Sequence, residues 1–135
     1  MVPARVRSTL EKYGRPTLVA TIDVAEACLL VYPLSQWEGI EAKLLALPNL
    51  DQQTRQLQRL ILGHATEIEP DAQGRILLPS ILCEYAKMDK DVILLGQGHK
   101  FELWDAAHWQ KRRQAWMRAG VKGNELTEVL KDISL

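Results

Sequence analysis

Net charge is the first thing this chain lacks. Seventeen lysines and arginines are matched by seventeen aspartates and glutamates across 135 residues. Nucleic-acid binders usually carry a basic excess. Composition therefore points away from DNA unless positive charge is gathered on one face and displayed by several copies together. Cysteine is also scarce: Cys28 and Cys83 lie far apart with no CxxC partner. That predicts reduced thiols packed as small hydrophobes and no disulfide. No apolar run approaches the roughly 20 residues needed to span a bilayer, and the basic start has no signal-peptide core. The chain reads as a cytoplasmic protein with no membrane partner.

The parts of an enzyme are missing as well. His64, His99 and His108 stand alone, without HxxxH or His–Cys spacing, so no metal is expected. Ser8, Ser35 and Ser80 sit at helix starts rather than in a G-x-S-x-G elbow. Gly96 and Gly98 follow a strand but open another strand, which cannot build a dinucleotide or phosphate cradle. Neither a cofactor nor a small-molecule substrate is expected.

What is present is organised around residues 71–79, Asp-Ala-Gln-Gly-Arg-Ile-Leu-Leu-Pro. Residues 65–69 alternate into it, Pro70-Asp71 and Gly74 mark a tight reversal, and 76–78 read as a short buried strand closed by Pro79. Such a turn holds Asp71 and Arg75 four apart at a hairpin tip. There Asp71 can orient the guanidinium by a charge-assisted hydrogen bond while Arg75 is presented to a partner. Residue types alone leave a second reading open, in which the pair only pins the turn. After Pro79 come a helical pattern over 80–87, a strand over 91–96, a Gly-rich turn, Phe101-Glu102-Leu103-Trp104-Asp105, and a helix carrying Trp109.

That succession, D-x-x-G-R-I-L-L-P, V-I-L-L-G-Q and K-F-E-L-W-D-x-x-x-W, resembles the MraZ family. These are bacterial transcriptional regulators of the SpoVT–AbrB type, encoded beside cell-division and cell-wall genes. Cys28 to Leu34 with Trp37, and Arg59 to Ala65, match upstream, so the resemblance covers nearly the whole chain. It implies a nucleoid-associated protein with two AbrB-like repeats that assembles into homo-oligomeric rings. Its partner is double-stranded DNA carrying repeated promoter sites. Arg75 is the residue expected to contact that DNA, with Asp71 and Gly74 shaping its turn.

Self-comparison supports the repeats. Val2-Pro3-Ala4 falls on Leu78-Pro79-Ser80, residues 17–22 fall on 91–96, and Tyr32 and Trp37 match Trp104 and Trp109 at the same interval. Arg5 and Arg7, beside the matching Pro3, are further candidates for backbone contacts. A solvated helix face is the equal alternative for both. In the second copy their positions hold Ile81 and Cys83, where the family often keeps an arginine at the latter. Between the copies, 34–47 reads as a helix with a Ser35-x-x-Glu38 capping box. Asp51 caps a second helix ended by Gly63. Leu126, Val129, Leu130 and Ile133 space a last short helix.

The expected fold is α+β: two AbrB-like repeats packed as a pseudo-symmetric, β-barrel-like unit with an αα-hairpin between them. The expected divisions are 1–47, 48–64, 65–118 and a helical tail over 119–135. The counterpart of Arg75 would lie just upstream of Met1. The chain as given is therefore expected to display one arginine hairpin and to bind DNA weakly. The basic run Lys111-Arg112-Arg113 with Arg118 reads as a solvated helix face or a subunit contact, not a DNA contact. Tyr32, Trp37, Trp104 and Trp109 read as core and interface aromatics rather than stacking platforms. The rival to a DNA-binding regulator is a ring-forming scaffold whose DNA binding is weakened or lost.

Overall fold

The computed structural model describes residues 17–48, 50–71 and 75–120. In chain order they form β1 (Leu18–Ile22), β2 (Leu29–Pro33), α1 (Leu34–Leu45), α2 (Gln52–His64), β3 (Thr66–Ile68), α3 (Ser80–Tyr85), β4 (Val92–Gly96), β5 (Phe101–Asp105) and α4 (Ala106–Ala119). The five strands make one antiparallel sheet in the order β3-β1-β2-β5-β4. Among the described residues the sheet is open, with β3 and β4 at its edges.

Alternation along the strands gives the sheet two apolar faces. Leu18, Ala20 and Ile22 of β1, Leu29 and Val31 of β2, and Phe101 and Leu103 of β5 line one face. Leu82 and Ala86, at and just after α3, cover it, with Ile76, Leu78 and Tyr85 packed alongside. Val19 and Tyr32 face the other way, under Trp37 and Ile40 of α1 and Ile61 and Leu62 of α2. Thr21 lies on that second face and is fully buried. Its hydroxyl donates to the Ile61 carbonyl at 2.6 Å, so no polar atom is stranded there. Further along the same face, Trp104 packs edge-on against Trp109 and Trp116 of α4, with centroids 5.3 and 6.0 Å away.

The helix starts follow from what leads into them. Asp51 accepts from the Gln53 amide at 3.3 Å and caps α2 as expected. Asp105 accepts from the amides of His108 and Asp89, both at 3.0 Å, so it caps α4 and fixes the approach to β4. Between β4 and β5 the reversal is tight, with Gln97 N donating to Lys100 O at 2.8 Å. Gly98 sits there at φ 75°, a conformation glycine reaches without steric cost.

Three local expectations are corrected. The capping box does not start α1: the helix begins one residue before Ser35, with Pro33 as its N-cap. The Leu34 amide is taken instead by Thr17 O at 3.1 Å, which ties the helix start to the approach of β1. Gly63 does not end α2, which runs on to His64; Gly63 lacks the left-handed φ of a C-terminal cap, and the chain turns extended at Ala65. Residues 76–78 are not a buried strand. Ile76 and Leu78 pack inward, but Leu77 between them is 89% exposed, and the segment joins no ladder among the described residues. The inward–outward alternation of a strand is there without a hydrogen-bonded neighbour. The tail helix over 126–133 lies outside the described residues.

The loop between β1 and β2 is held from both sides of the sheet. The Tyr85 hydroxyl donates to the Asp23 carbonyl, reaching in from α3. Arg112 of α4 forks onto Glu26, with Nε to Oε2 at 3.0 Å and Nη2 to Oε1 at 2.7 Å, and its guanidinium lies 5.0 Å from the Trp116 ring. A bidentate pair at partial burial is stronger than a surface ion pair. Arg112→Ala is therefore expected to lower unfolding free energy by about 1–2 kcal/mol. A urea-melt cycle with Glu26→Ala should show that the two losses do not add.

Cys28 is wholly buried beside that loop, and its thiol donates to Asp23 Oδ2 at 3.6 Å. Burial drives its pKa far up, and the nearby carboxylates of Asp23, Glu102 and Glu26 add to the effect. The folded thiol stays protonated while the unfolded one ionises near its ordinary value of about 8.5. The stability this contributes is full below that value and is lost as pH rises above it. Between about pH 8.5 and 10 the melting temperature should fall, and Cys28→Ala should flatten that slope. In the native protein at pH 8, mass spectrometry after iodoacetamide treatment should find Cys28 unmodified.

Candidate nucleic-acid interface

The turn over 71–75 is built by one carboxylate. Asp71 N donates to Arg75 O at 2.8 Å, and the Arg75 amide donates to Asp71 Oδ1 at 2.8 Å. Arg75 Nε then donates to Asp71 Oδ2 at 2.9 Å. The Asp71 side chain thus closes the backbone turn with one oxygen and orients the guanidinium with the other. The Arg75 side chain stays 65% exposed and that of Asp71 42% exposed. An ion pair so open to water is worth little as stability, at most about 1 kcal/mol. Its effect is on direction: it reduces the conformational freedom the arginine must give up on meeting a partner.

The turn is anchored on both sides. Ile68 of β3 is buried just before it, and Ile76 and Leu78 pack against the same core just after it. Pro79 then caps α3 at its N-terminus. Both ends of the turn, at Asp71 and Arg75, are thus held close to the core. Of the expected contact residues, the structure brings Arg75 and Asp71 together. Gly74, Arg5 and Arg7 lie outside the described residues.

The aromatics are where packing, not base stacking, would put them. Tyr32, Trp37 and Trp104 are 5%, 4% and 2% exposed. Trp109 is half-buried against Trp104. In the basic run, Arg112 is committed to Glu26, while Lys111, Arg113 and Arg118 face solvent. His64 closes the end of α2, its Nδ1 lying 2.6 Å from Leu60 O. His108 stacks on Trp104, and its buried Nε2 has no hydrogen-bond partner among the described residues.

Sequence reasoning missed two constellations. The Arg112–Glu26 fork joins residues 86 apart, and nothing in local spacing announces it. Asp23, Cys28 and Glu102 bring their side-chain ligand atoms within 4.8 Å of one another. A metal would need the Cys28 thiolate, and this setting strongly favours the protonated thiol. The carboxylates already have structural uses: Asp23 accepts from the Ala25 amide and the thiol, and Glu102 accepts from Trp104 Nε1 at 3.0 Å. No helix among the described residues is long and apolar enough to cross a membrane.

Comparison with known proteins places this geometry in a family. The sequence profile described as "MraZ protein, putative antitoxin-like" matches residues 61–127, which include the Asp71–Arg75 turn and β5. The transcriptional regulator MraZ of Hydrogenovibrio crunogenus is 48% identical over 134 residues, covering 99% of this chain and 88% of that protein. The protein of the same name from Thioalkalivibrio sulfidiphilus is 50% identical over 134 residues, with 99% and 89% covered. That from Legionella pneumophila is 44% identical over 135 residues, with the same coverage. Identity at this level across nearly the full length leaves one assignment: the chain belongs to the MraZ family.

Proposed function

We propose that this protein is a transcriptional regulator that binds double-stranded DNA through the Asp71–Arg75 hairpin. The observation that carries the reading is the brace itself: the Arg75 side chain is 65% exposed at the end of an anchored turn, with Asp71 holding its Nε edge. A guanidinium so directed fits phosphate oxygens or the O6 and N7 edge of guanine. The relatives' name, transcriptional regulator, agrees with that use.

The proposal extends to architecture. The two β-β-α halves, β1-β2-α1 and β4-β5-α4, are AbrB-like repeats packed as a pseudo-symmetric, barrel-like unit. They belong to divisions at 1–47 and 65–118, joined through 48–64 and followed by a tail over 119–135. The support is the register between β2 and β5, in which Leu30 pairs with Glu102, with Leu29↔Leu103 and Val31↔Phe101 on either side. Leu30 and Glu102 are 72 apart, the interval that also separates Tyr32 from Trp104 and Trp37 from Trp109. Each of them therefore meets its own counterpart, as elements related by a two-fold axis do.

A single hairpin contact is weak, so the functional form is a homo-oligomeric ring engaging several short promoter sites at once. Large apolar side chains left open on the chain support assembly: Leu45 is 65% exposed, Leu50 93% and Met117 69%. The family resemblance points to promoters of cell-division and cell-wall genes, and to a nucleoid-associated protein in the cytoplasm.

Arg75→Ala is expected to weaken binding to a duplex spanning the region upstream of the chain's own gene by about ten- to a hundredfold per contact. The slope of affinity against salt should flatten by about one counterion per lost phosphate contact. Melting temperature should stay nearly constant, because the Arg75–Asp71 pair is exposed. A gel-shift titration at two salt concentrations, beside a thermal melt, reads all three. Unchanged affinity would favour the scaffold reading, and a collapsed melt would make Arg75 a turn brace.

A further inference from the structure

Charge is balanced over the chain but not within it. Residues 17–71 carry eight carboxylates and three basic side chains, whereas residues 75–120 carry eight basic side chains and five carboxylates. The acidic excess has a place in the fold. A groove of about 420 Å3 opens beside α1, α2 and the β3 edge, lined by Leu34, Trp37 and Leu62 together with Glu38, Glu41 and Glu67. Glu38 is already engaged in another contact. Glu41 and Glu67 are both exposed.

The basic excess is concentrated on α4. His108, Trp109, Arg112 and Trp116 recur at helical spacing toward the sheet. That turns the opposite face, from Arg113 round to Lys111, outward, and Lys111, Arg113 and Arg118 on it are all exposed. Between those cations stands Met117, 69% exposed. The groove is lined mainly by polar surface, with carboxylates about a small apolar patch, and the helix has cations around a flexible apolar side chain. The two patterns are complementary in both charge and polarity.

They cannot meet within one chain. The groove lies at the β3 edge and α4 packs on β5 and β4, three to four inter-strand steps away, or roughly 14–19 Å. We propose that the groove is the docking site for α4 of a second copy of this chain, joining subunits head to tail. The cations of one copy's α4 meet Glu41 and Glu67 of the next, and Met117 between them packs on the small apolar patch of the groove. Because the two surfaces differ, each bound copy leaves one groove and one α4 open, so the contact propagates until it closes on itself. It rests on the ring reading above and names the surfaces that build the ring. It also removes the acidic groove from view, so that the Arg75 hairpins meet DNA without that repulsion.

The test is charge exchange read by light scattering at micromolar protein and about 50 mM salt, where screening is weak. Glu41→Lys with Glu67→Lys should weaken self-association at least tenfold and shift the mass toward the 15.3 kDa chain. Lys111→Glu with Arg113→Glu should do the same. Combining all four reverses both surfaces and should restore the mass of the unaltered protein. Met117→Ala, an exposed truncation that leaves charge alone, should weaken assembly in the same direction.

If either charge-reversed pair keeps the full mass, the interface is wrong while the ring stands. Loss in both pairs without restoration in the combination also overturns it. If the unaltered protein is a monomer, the ring reading fails first. If Lys111→Glu with Arg113→Glu weakens operator binding at unchanged mass, α4 is a DNA surface and the docking proposal is overturned.

Discussion

The fold depends on three residue pairs. Leu29↔Leu103, Leu30↔Glu102 and Val31↔Phe101 are the rungs that join the β1-β2 hairpin to the β4-β5 hairpin. An isolated hairpin is marginal in water, and three or more strands with an apolar face are needed for stability. Neither hairpin alone could bury the residues it turns to both sides. Across that short ladder Leu29, Val31, Phe101 and Leu103 become one continuous apolar surface, and α3 has something to cover. On the other face the same ladder brings Glu102 to the carboxylate of Asp23 and the thiol of Cys28. The Arg112–Glu26 fork then ties α4 to the opposite hairpin.

Much of this was legible in the sequence because the signals were local. The five-residue strands at 18–22, 29–33, 92–96 and 101–105 follow from apolar runs bounded by turn residues. The Asp51 cap and the Gly98 reversal need only neighbours within a few positions, and the recurrence of Tyr32/Trp37 in Trp104/Trp109 needs only the chain compared with itself. Local rules failed where a distant group won the competition. Ser35 had the chemistry of a cap, yet Thr17 reached the start of α1 first. Gly63 had the freedom to stop α2 and was not asked to use it.

The candidate site shows the same division. That Asp71 and Arg75 face each other is written in their spacing, since a turn of this length leaves few other geometries. What spacing could not give is how the two ends of the turn are seated. Ile76 and Leu78 act as two pegs driven into the core just after the turn, with Leu77 thrown outward between them. Nor could it show that Arg112 is committed to Glu26 while its neighbours Lys111 and Arg113 face solvent. One sequence motif of three cations is, in space, a structural brace flanked by two open charges.

The six-residue loop from Asp23 to Cys28 carries a further consequence. Surface loops commonly tolerate changes in length because little else depends on them. This one is gripped by Tyr85 from one face of the sheet and by Arg112 from the other. Adding a residue would move the Asp23 carbonyl or the Glu26 carboxylate out of register, releasing both grips in a single step. The Gly98-His99 reversal has only its own turn to lose. Natural variation in chain length should therefore collect at the β4–β5 turn and avoid the β1–β2 loop, although both are short connections between adjacent antiparallel strands.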